Sequence, residues 1–456
     1  MLRICLPVAG GNHWRSRYDE ARLSGRARDS VLEAPIALPS DPSLVLPIAA
    51  ALWIPLLPLG LLLLQAGMSR IRNTAHTLLM GLAGIALAIV GFLLPGAWIA
   101  GAGAAGHGFW LAGHFWDLIG RHAPWSALAA HPAAALQAWQ ELWAAAIVAL
   151  LALAGGLERW RRRPAMLAAY LCGAFFLPLM AHWLWGQGWL AQAPALFHLR
   201  NAPVDPAGAG GVQLLGGLIA LSVMIQLGPR RGKFPADGLP AALPAHNIPL
   251  VLLSCLLLLP GWLAWNLLGA LLHPQPFAAI SAMTVAVNTV LPAAGGLLAA
   301  FELSAWRFGK PDASLSANGW LAGLVASSAG CALWGPLAAL ITGAVAGALV
   351  VFTVELIELR ARLDDPAGVL PTHLLAGIWG VLAVALFGRN LSRAAQLLEL
   401  AVLIAFFWPL SFAALWLIGR LAPHRLDPDD ERRGLDLSEL GAGAYPEFVT
   451  HDDAGF

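Results

Sequence analysis

Charge is scarce in this sequence. Asp, Glu, Lys and Arg make up 12% of its 456 residues, where a soluble globular chain carries about a quarter, so an ordinary water-soluble domain is excluded. Cysteine is rare too. Cys5, Cys172, Cys255 and Cys331 are scattered with no CxxC spacing, which argues against a disulfide framework or a zinc site and leaves buried structural thiols. The formal net charge of +1 gives no pull toward nucleic acid. No metal-ligand cluster, nucleophile–base pair or phosphate-cradling glycine loop stands in a suitable context. Nothing here calls for an enzyme, a cofactor or a metal.

What the chain has instead is apolar length. Apolar residues make up 59% of it, mean hydropathy is +0.70, and apolar runs of membrane-spanning length, about 18 residues or more, follow one another. Runs ended by charge or by Pro/Gly clusters predict eleven spans, near 45–67, 76–98, 136–156, 164–187, 209–228, 247–270, 276–303, 315–333, 336–358, 367–388 and 394–419. Only Gly335-Pro336 divides the eighth from the ninth. The fold class is therefore an all-α membrane protein. Residues 1–44 are rich in arginine but lack a signal-peptide core; a disordered leader and a start codon placed too early explain them equally well. Residues 45–420 form the membrane domain, and 421–456 read as a solvent-exposed cytoplasmic tail.

Basic residues in short loops set orientation. Arg70, Arg72, Arg159, Arg161, Arg162, Arg163, Arg230, Arg231, Lys233, Arg307, Lys310, Arg360 and Arg362 follow odd-numbered spans, whereas Arg121, Arg200, Arg389 and Arg393 follow even-numbered ones. Thirteen against four puts the odd loops in the cytoplasm, the N-terminus outside and the C-terminus inside. The arginines of the leader oppose this reading, but five internal loops agree.

The sequence also repeats itself. Residues 205–217 read DPAGAGGVQLLGG and residues 365–377 read DPAGVLPTHLLAG, with seven identities in thirteen positions. Asp suits a helix start because it accepts from the free N–H groups of the first turn, and Pro suits the next position. Asp205 and Asp365 thus open spans 5 and 10 from opposite surfaces, an inverted repeat of helices 1–5 and 6–10 with helix 11 added. Gln213 and His373 each stand eight residues after their aspartate. Eight helical residues rise about 12 Å in a hydrocarbon core roughly 30 Å thick, so the two side chains are expected to meet near its middle. A polar pair at that depth marks a pathway. The plainer alternative is a hydrogen bond tying two helices together.

These residues stand among others that resemble the ammonium transporters (the Amt/Mep/Rh superfamily). The similarity runs from about residue 58 to about 447, through GMSRIRN at 67–73, GGLERW at 155–160, AHWLWGQGWL at 181–190, LGPRRGKF at 227–234, HNIPL at 246–250, GWLAWN at 261–266, GKPDASLSANGWLAGLVASSAGC at 309–331, DDPAGVLPTH at 364–373 and GLDLSELGAGAYPEF at 434–448. The resemblance implies a homotrimer in the inner (plasma) membrane with one narrow apolar pore per subunit. Ammonium would be recruited at an outer aromatic site and lose its proton, and ammonia would pass two facing histidines. It also implies a PII-type regulatory protein as a partner at the cytoplasmic face.

Carried over residue by residue, the resemblance makes Trp185 the outer tryptophan, Asp205 the structural helix-start aspartate and His373 the second pore histidine. Gln213 stands where the first pore histidine would be. The two gate phenylalanines fall at Ala144, beside Trp143, and at Trp265. The serine of the recruitment site falls at Gly269, and Pro206 replaces an aromatic residue after the aspartate. An amide cannot take up and release a proton near neutral pH as imidazole can, so proton coupling is expected to be altered. A sensor of the same fold is the alternative function, and passage of carbon dioxide or water a third.

Overall fold

The computed structural model describes residues 42–101, 107–120, 132–236, 238–273 and 281–445. The arginine-rich leader up to residue 41, the first residues of the expected seventh span and the last eleven residues lie outside that description. The chain divides into residues Met1–Leu46 and Pro47–Phe456; of the first, the structure describes a 3-10 turn, Pro42–Leu44, and the opening of the first long helix.

Among the described residues, ten helices are long and apolar enough to cross a membrane: α1 Val45–Met68, α2 Ile71–Ala100, α3 Pro132–Gly155, α4 Arg162–Leu184, α5 Ala209–Leu227, α6 Ile248–Leu272, α7 Ala282–Phe308, α9 Pro336–Ala361, α10 Leu370–Phe387 and α11 Arg393–Leu421. An eleventh, α8 (Ala313–Gly330), takes the place of the expected eighth span. It carries Ser314, Ser316, Asn318, Ser327 and Ser328 and is buried along nearly all of its length. A helix wrapped by protein need not be apolar to avoid water, which is why its sequence is less greasy than its neighbours'. Side-chain caps define several starts: Asn247 Oδ1 accepts from Leu250 N at 2.9 Å, Asp312 Oδ1 from Leu315 N at 2.8 Å, and Ser392 Oγ from Ala395 N at 3.2 Å.

Helices α5 and α10 run antiparallel. Arg230, just past the end of α5, bonds Asp364, just before α10, while Asn201, before α5, accepts from Ser392 N beyond the end of α10. The last glycine of each sequence repeat is where they touch. A Cβ on Gly217 would lie 2.8 Å from Leu374 N and Cα, and one on Gly377 would lie 3.0 Å from Leu214 N. The contacts are reciprocal, as a two-fold repeat requires.

Two features depart from the sequence reading. The first is an antiparallel hairpin, β1 (His107–Leu111) and β2 (His114–Ile119), within the loop after α2. It turns through Ala112 and Gly113, both at positive φ, the geometry a two-residue hairpin turn needs. The second is the tail. It was expected to be exposed to solvent, but Leu426, Glu431, Leu435 and Asp436 are buried. Asp436 accepts from His76 N at 2.7 Å and Ala75 N at 3.2 Å, and Leu435 N donates to Asn73 Oδ1 at 2.9 Å. Asp436 reads as hydrophilic, yet it serves as the acceptor for free N–H groups near the start of α2.

Candidate functional site

The repeated Asp-Pro-Ala-Gly folds the same way twice. Gly208 and Gly368 take φ of 73° and 70°, a left-handed conformation that glycine adopts without strain, and each N–H donates to its aspartate's carbonyl at 3.4 Å. Asp205 then accepts from Ala209 N, Gly210 N and Gly211 N at 2.7, 2.9 and 2.8 Å. Asp365 accepts from Val369 N and Leu370 N at 2.9 and 2.7 Å. Asp and Pro therefore do not open the helices directly, as the sequence suggested. A buried turn intervenes, and α5 and α10 begin at Ala209 and Leu370. The eight-residue helical rise is replaced by that turn plus a short helical run. Both openings are wider than an α-helix, with Gln213 N donating five residues back to Gly208 O at 2.9 Å. Such π-turns gather at functional sites.

Across the two openings, Gln213 Oε1 and His373 Nδ1 stand 2.8 Å apart, both buried. An amide oxygen only accepts, so the imidazole donates from Nδ1. Gln213 Nε2 is left without a partner among the described residues.

The first turn is clamped from several helices. Trp185 Nε1 donates to Asp205 O at 2.9 Å, Trp265 Nε1 to Ala207 O at 2.7 Å, and Ala207 N to Ser328 O at 3.2 Å. Gln396 on α11 holds Val204 by both its N–H (2.6 Å) and its carbonyl (3.1 Å). Above lies a cavity of about 380 Å³ lined by Trp185, Asp205, Pro206 and His273 among others. The Trp185 ring stacks on His273, centroids 5.1 Å apart and planes 15° from parallel. Ala144 is fully buried. Its neighbour Trp143 packs edge-on to Trp139 at 5.7 Å, whose N–H is bonded to Ala51 O on α1, so Trp143 is drawn toward α1. At Gly269 a Cβ would overlap the Pro206 carbonyl. The close approach of the 206 backbone therefore leaves no room for a side chain at 269.

Two polar residues escaped the sequence reading. Gln140 on α3 is buried, its Nε2 would lie 2.9 Å from a Cβ on Gly269, and neither amide atom has a partner among the described residues. Glu399 on α11 is fully buried against Asp205 and Gly210. An ionisable or strongly polar residue inside an apolar span is itself the signal that finds both.

At the opposite end of α5 sits an ionic cluster. Asp364 accepts from Arg230 N and Nε at 2.8 Å and from Nη2 at 2.9 Å, with Arg159 Nη1 3.8 Å away and Glu158 3.4 Å from Arg230. Burial alone would raise the Asp364 pKa; the guanidinium of Arg230 bonded to it, and the charges of Arg230 and Arg159, outweigh burial and bring it to about 2. Burial lowers Arg159 to about 10.

The model of the Ammonium Transporter Family matches residues 45–445. Similar curated proteins include the ammonium transporter Amt2 of Archaeoglobus fulgidus, 31% identical over 418 residues that cover 86% of this chain and 85% of the relative. Ammonium transporter 3 of Dictyostelium discoideum is 28% identical over 445 residues, 92% of this chain and 98% of that one. Of solved structures, one described as Sensor Amt Protein matches with a TM-score of 0.77 at 26% identity, covering 87% of this chain and 98% of its own. Mep2 of Candida albicans matches with a TM-score of 0.71 at 22% identity, covering 91% and 92%, and shares the fold.

Proposed function

Because the chain belongs to the ammonium transporter family, we propose that it carries ammonia across the inner (plasma) membrane past Gln213 and His373, with proton coupling altered by the glutamine. The observation that carries this reading is the 2.8 Å contact between those two buried side chains on antiparallel helices. An ammonium ion pays heavily to leave water, and neutral ammonia does not. The cation is recruited at the Trp185–His273 cavity, where an aromatic face attracts positive charge. It gives its proton back to the water at the outer mouth, and ammonia continues inward. The free Gln213 Nε2–H donates to the lone pair of ammonia. His373 can titrate but faces an amide that cannot, so the pair does not relay protons as two imidazoles would.

Recruitment is weakened by the alanine at 144, which offers no ring, and by Gly269, which offers no hydroxyl. Gln140 supplies a free amide beside that gap. Trp265 narrows the lower gate. The distribution of basic residues supports an external N-terminus and a cytoplasmic C-terminus, and family membership supports a homotrimer with a PII-type regulatory protein at the cytoplasmic face. A second reading, a sensor of the same fold, is favoured by the likeness to the solved structure described as a sensor.

The two part in a strain lacking other ammonium carriers. Transport is expected to restore growth on low ammonium. A strain that holds the protein in its membrane and still fails to grow contradicts transport and favours sensing.

A further inference from the structure

The carboxyls of Asp205 and Glu399 meet inside the protein, each within side-chain hydrogen-bonding reach of the other. Gly210 makes the meeting possible: a Cβ there would overlap Glu399 Oε1, and its N–H is already bonded to Asp205 Oδ2 at 2.9 Å. Asp205 offers about four acceptor positions. Three are taken by the N–H groups of Ala209, Gly210 and Gly211, which leaves one for the carboxyl of Glu399. Neither Glu399 oxygen has a donor among the described residues, and Glu399 is fully buried. Two ionised carboxylates cannot face each other at hydrogen-bonding distance in a dry site; one proton between them turns the repulsion into a strong O–H···O⁻ bond.

The surrounding titratable groups do not supply a counter-charge that would substitute for that proton. Cys331, just past the end of α8, is a buried thiol and carries no positive charge. His273 lines the cavity beyond Asp205, with its ring against Trp185. Arg393 opens α11 six residues before Glu399, more than one helical turn away. From α11 itself, Gln396 faces the Val204 backbone and not the carboxyls.

We infer that Glu399 is held protonated and donates its O–H to the ionised Asp205, so that the pair places one negative charge, not two, beneath the recruitment cavity. Asp205 then stays ionised in a buried site because four donors share its charge. That single charge draws the cation to a mouth that lacks an aromatic ring at 144 and a hydroxyl at 269. Glu399 is a positioning residue, acting through Asp205, and this role rests on the transport reading above.

The test compares Glu399→Gln and Glu399→Ala in purified, lipid-reconstituted protein, by infrared difference spectroscopy and by methylammonium uptake. Glutamine is isosteric, neutral and still a donor, so it stands in for the protonated acid. Native protein at neutral pH is expected to show a protonated-carboxyl C=O band that Glu399→Gln removes. The half-saturating concentration of that variant is expected to stay within about twofold of native, while Glu399→Ala raises it about tenfold, because without the fourth donor Asp205 no longer holds its charge. No band lost in Glu399→Gln, or uptake lost in a folded Glu399→Gln as fully as in Glu399→Ala, overturns the inference. The band is independent of transport, so a native chain that moves no substrate would count against the transport reading while the spectrum still decides the proton.

Discussion

Replacing Asp205 with alanine is expected to cost the protein its uptake and several degrees or more of its unfolding temperature. The side chain accepts three buried backbone N–H groups and faces the buried carboxyl of Glu399. A buried donor left without an acceptor costs roughly 1–3 kcal/mol, so three together amount to at least about 3 kcal/mol, a large share of a marginal fold. The loss falls where α5 begins, four residues before Gln213, and the freed turn no longer fixes the opening from which that amide projects. Asp365→Ala should do the same to α10 to a smaller degree, because two N–H groups depend on it. Thermal melts of the two variants in detergent check the order. Melting of Asp205→Ala together with the native protein would contradict the role given to the turn.

Asp364→Ala is expected to be as damaging for an electrostatic reason. Its carboxylate binds the Arg230 guanidinium through two nitrogens and lies beside the fully buried Arg159. Removing one partner of a buried ion pair leaves charge uncompensated and typically costs about 3–5 kcal/mol. The same group sets an acid limit. Its pKa is about 2 in the folded protein against an ordinary 3.8. A depressed carboxylate contributes stability that is complete above its unfolded pKa and is lost as pH falls through its folded one. The contribution is therefore present above about pH 4 and gone near pH 2, on the order of 2 kcal/mol for a shift of this size. Melts from pH 6 down to pH 2 should show a steeper acid decline for the native chain than for Asp364→Asn. Equal slopes would mean that Asp364 bears no such load.

The architecture was legible where local chemistry repeats. DPAG, Leu-Leu and the closing glycine recur because each does one job twice: a turn, a packing face and a close crossing of backbones. The meeting of Gln213 and His373 follows from that recurrence. The left-handed turn at Gly208 and Gly368 was hidden because Asp-Pro reads equally well as a plain helix start. Helices α8 and α9 were legible as two spans from Gly335-Pro336 alone, and α9 does begin at Pro336; the polar residues of α8 are tolerated because it is buried within protein and not in lipid. The docked tail looked soluble since Asp436 finds its partners some 360 residues earlier in the chain. Glu399 stood in an apolar run with no motif around it. Its partner lies 194 positions away, and a bond at that separation leaves no local trace.

The central claim concerns what crosses past Gln213 and His373, and one measurement addresses it most directly. Native protein and Gln213→His are placed in liposomes, and internal alkalinisation and electrical current are recorded together on ammonium addition. The account predicts that the native chain alkalinises the vesicle interior with little current, while the histidine variant carries more charge for each ammonia delivered. A robust, saturable current from the native chain, no smaller than that of the variant, would contradict it.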